Sequence, residues 1–298
     1  MGRVLIVTHH HRDEAAVLTA DLVGRLRSEG HEVSIPADDA VLLDLPDYAI
    51  SDEALAAATG AGDGFDVAVS VGGDGTMLRT VDLVAAADVP VIGVHVGQLG
   101  YLVEVEPAGL SKALERFFAE DYLIQNRMRL HAAVERGSYT GPALVSDVGP
   151  CGNALNEAVL EKLPLGHTVR LDVTVDGEFF TSYTADGLIV ATPTGSTAYA
   201  MSARAPIVAP GHRALVLTPV APHMLFDRSL VLSPDSVVRI DVTSYRPAKL
   251  FLDGRDLQTL EEGMAVVCTA SPHPARLVVF EPRSFLGILK SKFGLNDR

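Results

Sequence analysis

One carboxylate set among three glycines, Gly72-Gly73-Asp74-Gly75, followed by Thr76, is the stretch of this chain with the clearest chemical content. The residues before it, 67–71, are short, apolar and mostly β-branched, as in a strand covered on both faces of a parallel sheet. Helical patterning resumes over 77–87. Glycines at 72, 73 and 75 are expected to allow close approaches that a Cβ would obstruct, so that amide N–H groups converge on an anion at a helix N-terminus. Asp74 is out of place in such a cradle. It repels phosphate unless it holds a metal ion, takes a proton from a nucleophile or positions a hydroxyl. Taken alone, the segment reads equally as a glycine-rich turn with Asp74 as helix N-cap.

Two later segments also carry polar groups against apolar strands. Asn156-Glu157 opens the run Ala158-Val159-Leu160 and by itself reads as a polar strand entry. Residues 185–199, Ala-Asp-Gly-Leu-Ile-Val-Ala-Thr-Pro-Thr-Gly-Ser-Thr-Ala-Tyr, read by themselves as a strand closed by a Pro-Gly turn. In this order, the three segments together resemble the NAD kinase family, and the resemblance runs over nearly the whole chain. Gly-Gly-Asp-Gly-Thr is shared with diacylglycerol and sphingosine kinases; the segment ending in Tyr199 is more specific.

The resemblance implies ATP-dependent phosphorylation of the adenosine ribose 2′-hydroxyl of NAD to give NADP, with a divalent metal, Mg2+ by preference, and no dedicated protein metal site. It assigns Asp74 to catalysis as base, hydroxyl orienter or metal-linked group. Gly72, Gly73, Gly75, Thr76 and Arg79 go to phosphate or nucleotide binding, and Asn156, Glu157, Asp186, Thr194, Thr197, Ala198, Tyr199 and Ala221 to NAD. It implies a dimer or tetramer of the same chain, and leaves ATP against polyphosphate as donor undecided. Phosphoryl transfer asks mainly for positioning and charge stabilisation, which this modest machinery can supply.

Composition narrows the alternatives. Hydrophobic residues make up 48% and charged residues 21% of 298, which excludes disorder and allows two domains with their own cores. A net charge of −14 argues against a nucleic-acid or anionic-membrane partner, so anionic substrates need local N–H groups and metal ions. Cys151 and Cys268 stand far apart without a Cys-x-x-Cys pair, which fits a reducing cytoplasm. The opening apolar run is too short for a signal peptide, and no later run is long enough to span a bilayer.

Periodicity places the strands and helices that position these groups. The first 120 residues alternate strands (4–8, 33–35, 67–71, 89–94) with helices (14–29, 77–87), a βαβ series. Residues 38–64 hold a short capped helix at 51–58 and are expected to be mobile, because Gly60, Gly62 and Gly64 interrupt the pattern. Beyond 121 the texture is strands and turns (130–135, 168–175, 178–183, 188–192, 214–219, 237–242, 250–252, 265–269), with Asp176-Gly177 and Asp253-Gly254 as hairpin turns. The expected fold is an α/β domain with a parallel sheet at 1–120 and an all-β domain at 121–278. The resemblance makes these a Rossmann-like domain of the NAD kinase/diacylglycerol kinase type and a β-sandwich, with a return segment at 279–298 that holds an amphipathic helix at 285–293.

Other features fall outside this pattern. His9-His10-His11 cannot all face one ion and reads as a solvated loop, although the resemblance places His9 and Arg12 near phosphates. His223 resembles a family histidine, and reads equally as a buried, hydrogen-bonded turn residue. Where the family has Asn, often Arg, and Phe after the fourth strand, this chain has His95, Gln98 and Tyr101, and His95 is expected to face the nucleotide phosphates. Arg204-Ala205 replaces a Gly-Gly pair. P-loop, Gly-x-Gly-x-x-Gly, Gly-x-Ser-x-Gly and His-Glu-x-x-His motifs are missing. A lipid kinase and a non-catalytic dinucleotide sensor are the competing readings.

Overall fold

The computed structural model describes residues 1–60, 64–97, 100–137, 148–163, 166–282 and 284–295. The chain forms two compact units, Met1–Asn126 with His273–Arg298, and Arg127–Pro272.

A seven-stranded sheet organises the first unit. Its spatial order is Ala49–Ile50, Glu32–Pro36, Arg3–Thr8, Val67–Gly72, Val91–His95, Ala275–Val279 and Leu123–Arg127. The first six strands pair in parallel. Val67–Gly72 is buried at every position, which is why its sequence is apolar but for Ser70 rather than alternating. Helix Asp13–Ser28 buries Ala15, Leu22, Val23 and Leu26 against this sheet, and Asp13-Glu14 and Arg25, Arg27 complement its dipole. Gly30 closes it at φ +84°.

The helix after the glycine turn runs Asp74–Val84, followed by a 3-10 turn at Ala85–Ala87. It begins three residues before the expected start at 77, so Asp74 sits in its first turn. Glycine 75 lowers helix propensity, and this is what hid the true start. The stretch 38–64 is more ordered in type than its glycines suggested. It carries a helix at Ala37–Leu42, a 3-10 turn at Pro46–Tyr48, the short strand Ala49–Ile50 and a helix at Asp52–Gly60. Ser51 Oγ accepts the Ala54 N–H at 3.2 Å as its cap. Gly62, part of the expected interruption, lies outside the described residues.

The second unit is two antiparallel six-stranded sheets. One has the order Glu178–Ala185, Val169–Val175, Val238–Val242, Met264–Ala270, Leu130–Arg136, Val148–Ala154; the other Leu230–Leu232, Leu215–Val220, Gly187–Ala191, Glu157–Lys162, Ala248–Leu252, Arg255–Leu260. Leu130, Val134, Leu171 and Ile240 from the first share one core with Leu160, Leu188, Leu217 and Leu250 from the second, which makes the unit a sandwich. Each of these fully buried aliphatic side chains stabilises the fold by about 1.5–3 kcal/mol. Asp176-Gly177 and Asp253-Gly254 are hairpin turns, all four residues having positive φ. The helix Phe285–Phe293 forms as expected, with Ser284 capping Gly287 N–H at 3.1 Å, but it buries no residue of its own.

Candidate active site

At the C-terminal edge of the parallel sheet, the first unit holds a cleft of about 530 Å³ lined by Thr8 to Arg12, Gly73 to Thr76, Arg79, Gly100 and Lys292. The cleft lies where a parallel α/β sheet generally binds its ligand, beyond the carboxyl ends of its strands. Asp74 faces it with both oxygens oriented, since Tyr101 N–H donates to Oδ2 at 2.9 Å and Leu102 N–H to Oδ1 at 3.1 Å. A carboxylate offers about four acceptor positions, so two remain for a ligand hydroxyl or cation.

The glycines of the turn play unequal parts. At Gly72 a Cβ would stand 2.3 Å from Thr76 Oγ1, so the turn closes only with glycine there. At Gly73 and Gly75 a Cβ would meet nothing within 4 Å. Both line the cleft, so the space beside them is open on that side. Gly100, outside the motif, is as constrained as Gly72: a Cβ there would fall 1.9 Å from Asp74 Oδ1. Gly73 is the helix N-cap and makes no side-chain cap, and Asp74 is the next residue rather than the cap.

Arg79 reaches the cleft but is committed. Its guanidinium pairs with the fully buried carboxylate of Asp39, which also accepts Thr8 N–H at 2.8 Å and lies 2.7 Å from His10 Nε2. The three histidines are partly or fully exposed and line the cleft, and burial with the surrounding cations lowers the His9 pKa. Arg12 donates to the Val96 carbonyl. His95 ends its strand; its Nδ1 is buried without a partner, and it is not among the described residues lining this cleft. Gln98 lies outside the described residues. Among the described residues no group of three or more His, Cys, Asp or Glu could hold a metal ion.

The second unit builds its own polar cluster around Asn156-Glu157. The Asp253 carboxylate accepts the N–H groups of Leu155 at 2.6 Å, Asn156 at 2.8 Å and Glu157 at 3.0 Å. Burial raises the Asp253 pKa against these amides, which lower it. Glu157 is buried, and its Oε2 has no partner. Burial, with the Asp253 charge second, pushes its carboxyl up to about 8, opposed by a backbone hydrogen bond from Tyr199. Thr192 Oγ1 donates to the Leu155 carbonyl at 2.5 Å, and Gly195 packs so closely that a Cβ would lie 2.1 Å from the Asn156 carbonyl oxygen. Thr192 N–H also donates to the Asn156 carbonyl at 2.8 Å, and in the turn that follows Thr197 Oγ1 donates to the Thr194 carbonyl at 3.2 Å and Ala198 N–H to the Gly195 carbonyl at 2.9 Å. Tyr199 donates its hydroxyl to Glu161 at 2.9 Å, and Asp186 pairs with Lys162 at 2.6 Å. Ala221 has φ +44° on an exposed turn. His223 is exposed rather than buried, fixed by its backbone N–H to the Thr184 carbonyl at 2.7 Å.

Arg204 has φ +66° and closes the short helix Tyr199–Ser202, while Ala205 is buried among Val159, Ile189, Ala200 and Val216. The family's first glycine thus corresponds here to a left-handed arginine. Asp253, Asp39, Gly100 and Lys292 went unnoticed in the sequence. Only Asp253 had a local signal, and its Asp-Gly pair was read as a turn alone.

A glycine cradle with a single oriented carboxylate, on an α/β unit paired with a β-sandwich, defines a phosphotransferase of the Gly-Gly-Asp-Gly-Thr class. Residues 4–122 match the ATP-NAD kinase N-terminal domain and residues 155–280 the ATP-NAD kinase C-terminal domain. NAD kinase from Moorella thermoacetica is 33% identical over 98% of this chain and 89% of its own length. That from Syntrophotalea carbinolica is 32% identical over 100% of both. The crystal structure of yeast NADH kinase complexed with NADH superposes with a TM-score of 0.85 at 25% identity, covering 100% of this chain and 89% of that one. An Archaeoglobus fulgidus NAD kinase structure, at 24% identity and TM-score 0.66, shares the fold over 99% of both chains. The chain belongs to the NAD kinase family and is an enzyme of the kinase type.

Proposed function

We propose that the chain transfers the terminal phosphoryl group of ATP, or of an inorganic polyphosphate, to the 2′-hydroxyl of the adenosine ribose of NAD. The new bond joins O2′ to phosphorus, the bond from that phosphorus to the bridging oxygen breaks, and ADP or the shortened polyphosphate leaves. The observation that carries this reading is the Asp74 carboxylate, held by two backbone amides beside open glycines in a cleft edged with cations. With two acceptor positions spare, Asp74 orients the 2′-hydroxyl and takes up its proton as the bond to phosphorus forms.

Gly72, Gly73, Gly75 and Thr76 present the turn to the donor phosphates, and Arg79 contributes through its fixed pairing with Asp39. Asn156, Glu157, Asp186, Thr194, Thr197, Ala198, Tyr199 and Ala221 bind NAD. A single carboxylate with phosphate oxygens is the donor set Mg2+ commonly takes, so Asp74 fits a metal that arrives with the donor. The metal would neutralise phosphate charge. On this reading residues 1–120 with 279–298 serve the donor and 121–278 the dinucleotide. A cytoplasmic location and a homodimer or homotetramer complete it; no described helix is long and apolar enough to cross a membrane.

The decisive experiment mixes purified protein, NAD, ATP and Mg2+ and follows NADP with an NADP-specific dehydrogenase. NADP formation is expected. Phosphorylation of diacylglycerol instead, or NAD binding without turnover, would replace the reading with a lipid kinase or a sensor.

A further inference from the structure

From its place at the end of the C-terminal helix we infer that Lys292 is a donor-binding residue, its ammonium engaging the polyphosphate chain of the phosphate donor in the Asp74 cleft. The inference rests on the proposed kinase reading. Lys292 lies more than two hundred residues after the glycine turn, yet lines the same cleft as Gly73, Asp74, Gly75 and Thr76. Its Nζ stands 5.3 Å from the centre of the Tyr101 ring, and the Tyr101 N–H donates to Asp74, so a short chain of contacts links the lysine to the carboxylate.

Two arginines add further positive charge at this cleft. Arg79 is paired with buried Asp39, and Arg12 donates to the Val96 carbonyl. A lysine is suited to a moving phosphate chain, because its ammonium is a point charge with three rotatable donors on a flexible stem and can follow the donor through transfer. In a chain of net charge −14, an ammonium beside the glycine cradle supplies attraction that the overall field does not. A helix C-terminus also favours a lysine through its dipole, but that effect requires neither the cleft nor the aromatic ring.

The polyphosphate chain is the shared chemistry of ATP and inorganic tripolyphosphate, and the test separates these two sources. Lys292→Met keeps the unbranched stem, one atom shorter, and removes its charge, and Lys292→Arg restores the charge. KM is measured for ATP and for NAD, and the binding of ATP and of tripolyphosphate is measured by calorimetry. The expected result is a rise of about 10- to 100-fold in KM for ATP in Lys292→Met, the size of one charge-assisted hydrogen bond, with KM for NAD little changed and Lys292→Arg largely rescued. Equal weakening of ATP and tripolyphosphate places the contact on phosphates; loss of ATP alone moves it to the nucleoside and overturns the inference. On the wild-type protein, reductive methylation read by mass spectrometry should be slowed at Lys292 by ATP but not by NAD. Wild-type activity with unchanged KM for ATP in Lys292→Met and no ATP protection would refute the role of Lys292 while leaving the kinase reading intact, whereas absence of NADP formation by wild type would refute that reading itself.

Discussion

Two carboxyl groups in this chain are put to opposite use by their surroundings. Asp74 accepts two amides and faces a cleft, whereas Glu157 is buried with one oxygen unpaired and a carboxyl pushed up to about 8. Replacing Asp74 by Asn keeps the shape but turns an NH2 toward one of the amide donors of Tyr101 or Leu102. We expect a folded protein whose kcat falls about 10²–10⁴-fold, the scale of a lost acid–base group. Retention of more than about a tenth of wild-type kcat would make Asp74 structural. For Glu157 the sign follows from a folded pKa raised above the usual 4.5. The neutral form is favoured in the fold, so its contribution to stability is complete below about pH 4.5 and is lost as pH rises toward about 8. Thermal melts of Glu157→Gln should therefore gain on wild type across that range, and parallel curves would show that Glu157 is not so perturbed. The motif made Asp74 legible in the sequence. The raised Glu157 carboxyl reflects burial first and then the charge of Asp253, ninety-six positions away in the chain, and no local pattern reports either.

Secondary-structure elements, in turn, depend on where glycine is obligatory. Gly195 has no room for a methyl group: its neighbour is the Asn156 backbone, which cannot rotate aside as a side-chain tip would. Gly195→Ala should displace Asn156, cost about 1–3 kcal/mol as overpacking does, and raise KM for NAD more than KM for ATP. Gly73→Ala, with open space at its Cβ, should leave stability within about 0.5 kcal/mol and act on the donor if on anything. Chemical denaturation and separate KM values for the two substrates check both, and equal stability losses would show that the space at Gly73 is not free. Strands buried on both faces, such as Val67–Gly72, were readable because all but one residue, Ser70, is apolar or glycine. Val148–Ala154 was not, since its two glycines and proline break any alternation, and Arg255–Leu260 was hidden by its polar, half-exposed pattern. Arg204 shows the converse limit: tertiary packing holds an arginine at φ +66°, which its type alone argues against.

Across the whole molecule, the order of the chain and the order of the first sheet disagree. Ala275–Val279 is the last strand to be made, yet it lies between Val91–His95 and Leu123–Arg127. Its five residues look the same locally whichever sheet receives them, so the sequence pattern leaves Ala275 to Val278 within the expected all-β domain at 121–278, and only the family resemblance suggests that the chain returns. A physical consequence follows for folding. The first unit cannot close its sheet until the C-terminus is present, because without that strand Val91–His95 would expose a row of unpaired N–H and C=O groups at an apolar edge. The second unit is continuous from Arg127 to Pro272 and has its own sandwich core. A fragment of residues 127–272 should therefore fold alone, with a cooperative urea transition and a β-rich circular dichroism spectrum. A fragment of residues 1–272 should keep that transition but lose helical signal and aggregate, since the unfinished sheet is an edge open to pairing. Adding residues 273–298 back as a peptide should restore helix in proportion to occupancy. If residues 1–272 melt as the full chain does, with the same helical content, strand Ala275–Val279 is dispensable and the first sheet is held by its βαβ series alone.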